Sequence, residues 1–454
     1  MQDNPLAVNA GMKTDSTVRQ DCPDKTEEMI VFPEKPLPTI RLSFRGIRLF
    51  PCPPRMKSGF TLRIFNTFEP VTRLFLDYIP RCIKEGWKVE VVLSQAEYRK
   101  ESSQAWHQEG VEILNAGGKG QKAGSLFSKF LIMVGYCLGS VWLTLTRPSP
   151  GCNLFLTQPP IFFYWGFVLK KLKKQPYFIA LMDLYPDVFI AVGMFKEKGL
   201  VARILTYFSR AGIRNADGII VIGRCMYDRV KAMGVPDERI HFITNWFDQE
   251  TVYPIPAGEN PYRKQQGWDG KFVVLYAGNM GLAHYFDDLM EVAYRWRKRE
   301  DVVFVFIGKG KRCHEIEAHK EKHSLANIEV LPFPPHSQLA QTMGAGDIHF
   351  VSLRESFTGL VVPSKAYCIM AAGRPIVYQG ENNSEVARLV EEDGTGTKVP
   401  IGNPDLLEEA ITQYIDSKNL LQEQGQQAYH VTGTKYSKEH CCNQIHALLE
   451  PFAQ

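Results

Sequence analysis

The sequence lacks the signatures of the commonest nucleotide-binding folds. The dinucleotide pattern Gly-x-Gly-x-x-Gly begins at Gly308 and Gly310, but Cys313 stands where its third glycine would be. The phosphate loop of nucleoside triphosphatases is also missing, because Gly118-Lys119 is followed by glycine rather than by Ser or Thr. ATP and NAD are therefore poor candidates for a ligand.

Hydrolase and metal motifs are missing as well. There is no Gly-x-Ser-x-Gly elbow, which argues against an α/β-hydrolase. No Asp-x-Asp pair occurs, so the sequence predicts neither a metal nor another cofactor. His314 and His319 are five residues apart, which places them about 140° apart around a helix. The charged run 309–323 is therefore expected to be a solvated helix face.

The chain has little net charge and no closely paired cysteines of the redox or zinc type. Its 53 Lys and Arg nearly balance 49 Asp and Glu, and the net charge of +4 predicts no nucleic-acid partner. Its ten cysteines include no Cys-x-x-Cys pair, which favours a cytoplasmic location. The N-terminus has no apolar core of the kind that a signal peptide requires.

No apolar run reaches the length of a membrane span. Phe130–Leu145 has sixteen residues without a charge, whereas a spanning helix needs about 20. Pro159–Lys174 is aromatic-rich and ends in a lysine cluster. Two interpretations stay open for both runs: helices packed on a sheet, or a peripheral contact with an anionic bilayer at the inner face of the membrane.

The chain does contain regular alternation of strand-like and helix-like segments. This alternation predicts an α/β fold with two Rossmann-like parallel-sheet domains that face each other across a cleft. The predicted boundaries are a polar, proline-rich extension over 1–57, a first domain over 58–250, a second domain over 251–425 and a helical tail over 426–454. In a protein of two lobes such a tail is long enough to cross back to the first domain.

Several predicted strand ends of the second domain carry glycines, cations and a helix start. Glycine allows a ligand to approach the backbone closely, and a helix start offers free N–H groups to a phosphate. Ser364 is a candidate N-cap. The sequence therefore predicts a diphosphate site at Gly278, Asn279, Lys309, Glu355, Gly359, Pro363, Ser364 and Lys365.

The first domain offers its own strand-end residues. They are the loop 66–70, the segment 157–160 and the two carboxylates Asp183 and Asp187. The carboxylates have two interpretations, as groups that act on an acceptor or as caps of turns and helices near Pro186.

With these segments in place the chain resembles a family-four glycosyltransferase of the GT-B type, and within that family the bacterial branch that builds colanic acid and O-antigen. The resemblance covers about residues 60–445. It rests on Asp183-Leu-Tyr-Pro-Asp187, Thr244-Asn-Trp-Phe-Asp248, Tyr276-Ala-Gly-Asn-Met-Gly-Leu-Ala-His284, Phe306-Ile-Gly-Lys-Gly310, Gly359-Leu-Val-Val-Pro-Ser-Lys365 and Ala371-Ala-Gly-Arg-Pro375.

The resemblance implies transfer of a sugar from a UDP- or GDP-linked donor to a lipid-linked or saccharide acceptor, with retention of configuration and without a metal. It implies that the second domain holds the donor and that Asp183 faces the acceptor. By position, it assigns Gly278, Asn279 and His284 to the donor site, Gly359, Leu360, Ser364 and Lys365 to the diphosphate and sugar, and Glu355 to the first of two family glutamates.

The sequence departs from the wider family in two places. The second family glutamate, which grips the nucleotide ribose, is Cys368 here, and a thiol cannot accept two hydroxyl bonds as a carboxylate does. Leu282 and Ala283 replace the Arg and Lys that often follow the glycine turn. Lys365, Lys309 or Arg354 would then neutralise the diphosphate. Two alternatives remain: a catalytically idle relative that acts as a scaffold, and an epimerase that needs no acceptor.

Overall fold

The computed structural model describes residues 59–65, 72–94, 109–117 and 126–453. The predicted N-terminal extension 1–57 and the predicted loop 66–70 lie outside these residues.

The first lobe is built on a parallel sheet whose seven described strands lie in the order β3-β2-β1-β4-β5-β6-β7. Its central strands are apolar on both faces, and all five residues of β4 and of β5 are buried, as expected for a sheet covered by helices on both sides. The strands are β1 Thr61–Phe65, β2 Lys88–Leu93, β3 Val111–Asn115, β4 Cys152–Leu156, β5 Tyr177–Leu181, β6 Gly218–Val221 and β7 Ile240–Phe242. The described helices are α1 Thr72–Lys84, α2 Leu126–Thr146, α3 Tyr164–Lys173, α4 Asp187–Ala191, α5 Leu200–Asn215 and α6 Arg224–Ala232.

The second lobe has a parallel sheet with the described order β10-β9-β8-β11-β12-β13. Its strands are β8 Phe272–Asn279, β9 Val302–Lys309, β10 Ile328–Leu331, β11 Ile348–Ser352, β12 Ile376–Gln379 and β13 Gly396–Val399. Its helices are α7 Pro261–Gln266, α8 Asp287–Arg295, α9 Cys313–His323, α10 Leu339–Met343, α11 Lys365–Ala371, α12 Glu385–Glu392, α13 Pro404–Asp416 and α14 Lys418–Gly433. The predicted α/β class with two parallel-sheet lobes is confirmed.

The last helix, α15 Lys438–Leu449, packs on the first lobe although it follows the second in the chain. Its buried face, which includes Ile445 and Leu449, joins the hydrophobic cluster around β1 and α1. His446 stacks on the indole of Trp87 with ring centroids 4.5 Å apart. The tail therefore ties the end of the chain to the first sheet.

The two lobes touch through both backbone and buried charge. The Leu184 N–H of the first lobe donates to the Leu360 carbonyl of the second at 2.8 Å. The Arg224 guanidinium donates to the Glu385 carboxylate at 3.0 to 3.2 Å, and the Arg224 N–H donates to the same carboxylate at 2.7 Å. The Glu385 side chain is 2% exposed, so its charge depends on Arg224.

We expect Arg224→Ala to lower the free energy of unfolding by about 3 kcal/mol, because a buried carboxylate loses its main partner. Lys231 lies on the same helix and pairs with Asp237, but both side chains are more than half exposed. Lys231→Ala is the matched control and should change the free energy of unfolding far less, because an exposed ion pair contributes little. Urea unfolding curves of the two variants test the difference, and equal losses would contradict it.

Candidate functional site

A cavity of about 620 Å³ lies between the lobes at the carboxyl ends of their strands. Open α/β sheets bind ligands at this edge. The first lobe contributes most of the residues that line the cavity, and the second lobe contributes the start of α11 among others. Among its residues are Asp77, Asp183, Asn245, Trp246, Asp248, His336, Val362, Ser364, Lys365 and Cys368.

Lys365, the first residue of α11, contributes a buried cation to this cavity. Its Nζ has no hydrogen-bond partner among the described residues, although the atom is buried. It lies 3.4 Å from the centre of the Tyr276 ring, whose electron-rich face attracts a cation. Burial lowers the pKa of Lys365 well below its usual value. A ligand anion would favour the charged ammonium form of Lys365 and supply the hydrogen-bond partner that its Nζ lacks.

The predicted glycine turn of the second lobe is the end of a strand instead. β8 continues to Asn279 and β9 to Lys309, and Gly278 pairs in register with Gly308. The two glycines have φ near +146° and +144°, so side chains are disfavoured at both positions. A Cβ on Gly308 would lie 2.0 Å from the Gly278 carbonyl oxygen. Glycine is therefore favoured at both positions by the positive φ, and at position 308 the backbones of β8 and β9 are also too close for a side chain.

Gly278 and Lys365 lie side by side. A Cβ built on Gly278 would lie 3.5 Å from the Lys365 Nζ. The side chains of Asn279 and Lys309 are exposed at the same strand ends. The structure therefore brings together the glycine, the buried cation and the exposed cation that the sequence placed at one site.

We expect Gly278→Ala to weaken the affinity for a nucleoside diphosphate by at least about 10-fold, which corresponds to about 1.4 kcal/mol. The added methyl would occupy the space beside the ammonium of Lys365. Gly270→Ala is the control, because Gly270 also has a positive φ (+76°) but an added Cβ would meet nothing within 4 Å. Calorimetry with UDP and with GDP measures the effect, and equal affinities of the two variants would contradict it.

The His284 ring packs edge-on against the Tyr276 ring, the ring that Lys365 also contacts, with the His284 and Tyr276 ring centroids 5.7 Å apart. Its Nδ1 lies 2.6 Å from the Ser352 carbonyl oxygen, so Nδ1 carries the proton and donates. Burial lowers the pKa of His284 to about 3, and the charges of Lys365 and Arg312 add to this effect. The imidazole is therefore neutral at physiological pH and offers its Nε2 lone pair as an acceptor.

Asp183 enters the cavity from the first lobe. Its backbone forms an antiparallel bridge with Val361 of the second lobe, and its N–H lies 3.4 Å from the Thr157 hydroxyl. Burial raises the pKa of Asp183 to about 6, while the Tyr185 hydroxyl, 3.4 Å away, opposes this rise. This carboxyl thus titrates close to neutrality, which suits a group that handles a proton.

The remaining predicted residues are placed differently. Gly359 lies against α6, where an added Cβ would be 2.7 Å from the Cys225 carbonyl oxygen, and buried Leu360 accepts the hydrogen bond that joins the lobes. Glu355 is exposed in a single 3-10 turn, and its side chain contacts no described hydrogen-bond partner. Pro363 and Ser364 precede α11, and the Ser364 hydroxyl makes no capping hydrogen bond.

Asp187, the second carboxylate of the first domain, lies in the first turn of the short helix α4. It does not line the cavity that contains Asp183. The acceptor interpretation of Asp187 therefore gains no support from this position.

Sequence reasoning assigned no role to Trp246, which lines the cavity. Its Nε1 donates to the Asp77 carboxylate at 2.9 Å, so the indole is held in place by α1. Its position just after β7 was a usable signal, because residues at strand ends of a parallel sheet meet at one edge. Cys368 also lines the cavity, and burial raises the pKa of its thiol, which leaves it neutral.

The described ranges contain no group of three or more His, Cys, Asp or Glu side chains that could hold a metal ion. Cations for a diphosphate would come from Lys365, Lys309 and Arg354. Arg354 donates through Nε to the backbone carbonyl of His284 at 3.1 Å, and its guanidinium lies 5.7 Å from the centre of the Tyr285 ring.

The fold and the cleft define the class of protein: two parallel-sheet lobes of the GT-B glycosyltransferase type. HepE from Anabaena, whose structure was solved with UDP, superposes with a TM-score of 0.66 at 14% identity, over 86% of this chain and 100% of HepE. Sucrose-phosphate synthase from Thermosynechococcus elongatus superposes with a TM-score of 0.68 at 13% identity, over 86% of this chain and 98% of the synthase. These likenesses establish the fold.

Residues 259–431, which lie in the second lobe and its C-terminal helices, match the family model described as "Glycosyl transferases group 1". The chain is 28% identical to the probable glycosyltransferase WbjE of Pseudomonas aeruginosa over 61% of its own length and 66% of WbjE. It is also 28% identical to the putative colanic acid biosynthesis glycosyl transferase WcaI of Escherichia coli, over 49% of its length and 56% of WcaI. The matches span less than two thirds of both relatives. The predicted resemblance to WcaI-like bacterial glycosyltransferases is confirmed.

Proposed function

We propose that the protein transfers a sugar from a nucleoside diphosphate sugar to an acceptor hydroxyl, with retention of configuration and without a metal. The observation that carries the proposal is the buried Lys365 ammonium, which has no hydrogen-bond partner in the described chain and lies beside Gly278 at the cleft. An unpaired buried cation is unfavourable, so this site is suited to an anionic ligand.

The second lobe would hold the donor. Lys365 would meet the diphosphate, and the exposed side chains of Asn279 and Lys309 extend the same strand ends. UDP or GDP is the expected nucleotide, and the UDP complex of the structurally similar HepE supports a uridine nucleotide. The neutral imidazole of His284 would accept a hydrogen bond from a hydroxyl of the sugar through Nε2.

The first lobe would hold the acceptor, with Asp183 as the carboxylate next to its hydroxyl. In the proposed reaction the acceptor oxygen bonds to the anomeric carbon on the face from which the diphosphate leaves. The bond from that carbon to the diphosphate oxygen breaks, and the hydroxyl proton passes to the leaving group. Lys365 stabilises the negative charge that grows on the diphosphate, so no divalent ion is required.

The acceptor is proposed to be a lipid-linked or saccharide precursor of a polysaccharide, as the similarity to WcaI and WbjE supports. A cytoplasmic place of action is part of the proposal, because the eight cysteines of the described ranges are all free.

The test is a thermal-shift panel of nucleoside diphosphates and their sugars, followed by incubation of the best donor with and without saccharide acceptors. We expect UDP or GDP to raise the melting temperature, and the nucleoside diphosphate to be released faster when acceptor is present. A converted sugar nucleotide without acceptor would identify an epimerase. Failure of every nucleotide to bind would favour the idle scaffold, for which the loss of the ribose carboxylate at Cys368 is the supporting feature.

A further inference from the structure

The first lobe carries a large exposed apolar surface outside the cleft. On α2 the side chains of Leu138 and Trp142 are 67% and 70% exposed, and on α5 those of Leu200 and Tyr207 are 72% and 69% exposed. The other exposed members are Phe130, Leu131, Val134 and Leu145 on α2, and Val201, Ile204 and Phe208 on α5. Contiguous apolar surface of this extent marks an interaction site in most proteins.

The exposed residues repeat with helical spacing and lie opposite the buried faces. On α2 the exposed series 130, 134, 138 and 142 faces away from the buried series 132, 136, 140 and 144. On α5 the exposed stripe 200, 201, 204, 207 and 208 faces away from Ala202, Ser209 and Ile213, which are buried. A helix on the surface of a globular protein normally presents polar residues on its outer face. Both helices present apolar ones.

The two stripes belong to one surface because α3 lies between the helices. The Trp165 Nε1 of α3 donates to the Thr144 hydroxyl of α2 at 2.9 Å. On its other side, Tyr164 of α3 contacts Phe208 of α5 with ring centroids 4.8 Å apart. We call the exposed side chains of α2, α3 and α5 the docking face.

The charge of the docking face has one sign. The whole chain has 53 basic and 49 acidic residues, yet these three helices contain seven basic residues and no acidic one. Lys171, Arg203 and the adjoining Lys174 are exposed. Lys170 pairs with Asp217 at 2.7 Å, and Lys173 donates to the last carbonyls of α2, so these two are committed within the lobe.

We propose that the docking face lies flat on an anionic lipid bilayer. Apolar side chains with Trp and Tyr among them enter the boundary between headgroups and acyl chains, and flanking cations attract anionic lipids. A second copy of the chain is a poorer occupant, because two faces that are both cationic and free of carboxylates would repel each other. None of the helices in the described ranges has the length and hydropathy to cross a bilayer. Binding in the plane of the surface is the arrangement that remains for α2 and α5 in this proposal.

This face includes one of the two runs that the sequence indicated, because Phe130–Leu145 lies in α2, and it adds α5, which the sequence did not single out. The run Pro159–Lys174 was the candidate with the lysine cluster, but its helix α3 buries Gly166 and Leu169 against the sheet. Leu172 is the large apolar side chain of α3 that is exposed. The helices on either side of α3 supply most of the apolar surface, while α3 supplies cations. The proposal concerns where the protein lies and does not depend on the sugar-transfer reaction.

The experiment is co-sedimentation of the full-length protein with vesicles of phosphatidylcholine alone or mixed equally with phosphatidylglycerol. We expect binding to the anionic vesicles that weakens as salt is raised. Trp142→Glu with Tyr207→Glu should reduce the bound fraction by at least about 10-fold, whereas Leu406→Glu, an exposed leucine of the second lobe, should not. Lys171→Glu with Arg203→Glu should weaken binding by about 5-fold per residue, and Lys264→Glu on α7 should leave it unchanged.

Circular dichroism and melting temperature establish that each variant is folded. Equal sedimentation of the wild-type protein with and without vesicles would overturn the proposal. So would a dimer in light scattering that Trp142→Glu abolishes, because the face would then be an interface between copies. Unchanged binding of the folded Trp142→Glu, Tyr207→Glu double variant would also overturn it.

Discussion

Lys365→Met is expected to lower the turnover of sugar transfer by about 100-fold or more while leaving the protein at least as stable as the wild type. Methionine fills a similar volume without a charge, so the leaving diphosphate loses the cation that stabilises it. At the same time the substitution removes a buried ammonium that has no hydrogen-bond partner in the described residues. Steady-state kinetics and urea unfolding measure the two effects in the same preparation.

The pH dependence of stability gives a second measurement on this variant. Burial lowers the pKa of Lys365 in the folded protein, so the unfolded chain binds more protons than the folded one between that pKa and about 10.4. The stability of the wild type should therefore rise with pH across this window, and Lys365→Met should lose that rise. Lys264→Met, at an exposed position on α7, is the control for both activity and stability. A near wild-type turnover of Lys365→Met would show that the assignment is wrong.

Asp183→Asn should lower turnover by about 100-fold, because the acceptor hydroxyl would lose the carboxylate that orients it, and a small misplacement of a reacting group can cost this much. The asparagine keeps the shape of the side chain and the backbone bridge to Val361. Substrate affinity should change much less than turnover. Asp187→Asn is the matched control, because Asp187 does not line the cavity, and its turnover should stay within a few-fold of the wild type.

The pKa of Asp183 determines the sign of its pH effects. It is raised from 3.8 to about 6 in the folded protein, so the carboxyl stabilises the fold at pH below 3.8 and loses this contribution as the pH rises through about 6. Above pH 6 the Asn variant should be at least as stable as the wild type. If the carboxylate form is the active one, wild-type turnover rises with a midpoint near pH 6. The variant should lack this rise, and an unchanged profile would contradict the role of Asp183.

The class of fold could be predicted because the central strands of a covered parallel sheet are apolar on both faces and helices with a helical period alternate with the strands. The limits of the strands could not be predicted as well. Gly278 and Lys309 were expected where strands end, yet β8 and β9 continue through both residues, and Gly278 pairs with Gly308. Glycine in a strand is a weak local signal. The partner strand explains the glycine at position 308, because a Cβ there would lie 2.0 Å from the Gly278 carbonyl oxygen.

The site was predicted in part for a similar reason. Residues at the ends of parallel strands meet at one edge, which is why Asp183 and Lys365 line one cavity. Gly359 and Leu360 were expected at the donor, but they contact the first lobe through Cys225 and Leu184. Their local sequence is compatible with either location. The contacts with the first lobe determine which residues of the loop that contains Gly359 and Leu360 are left to face a ligand.

The sequence by itself determined that this chain folds as two parallel-sheet lobes of the glycosyltransferase type, because periodicity and strand-end residues are encoded locally. The tertiary structure decided which charge is buried without a partner, which carboxyl titrates near pH 6 and which helices expose apolar faces. Burial and electrostatic environment arise from residues that are distant in the chain, so no local pattern contains them. Lys365 illustrates both levels: its position was readable from the sequence, but its proximity to the ring of Tyr276 was not.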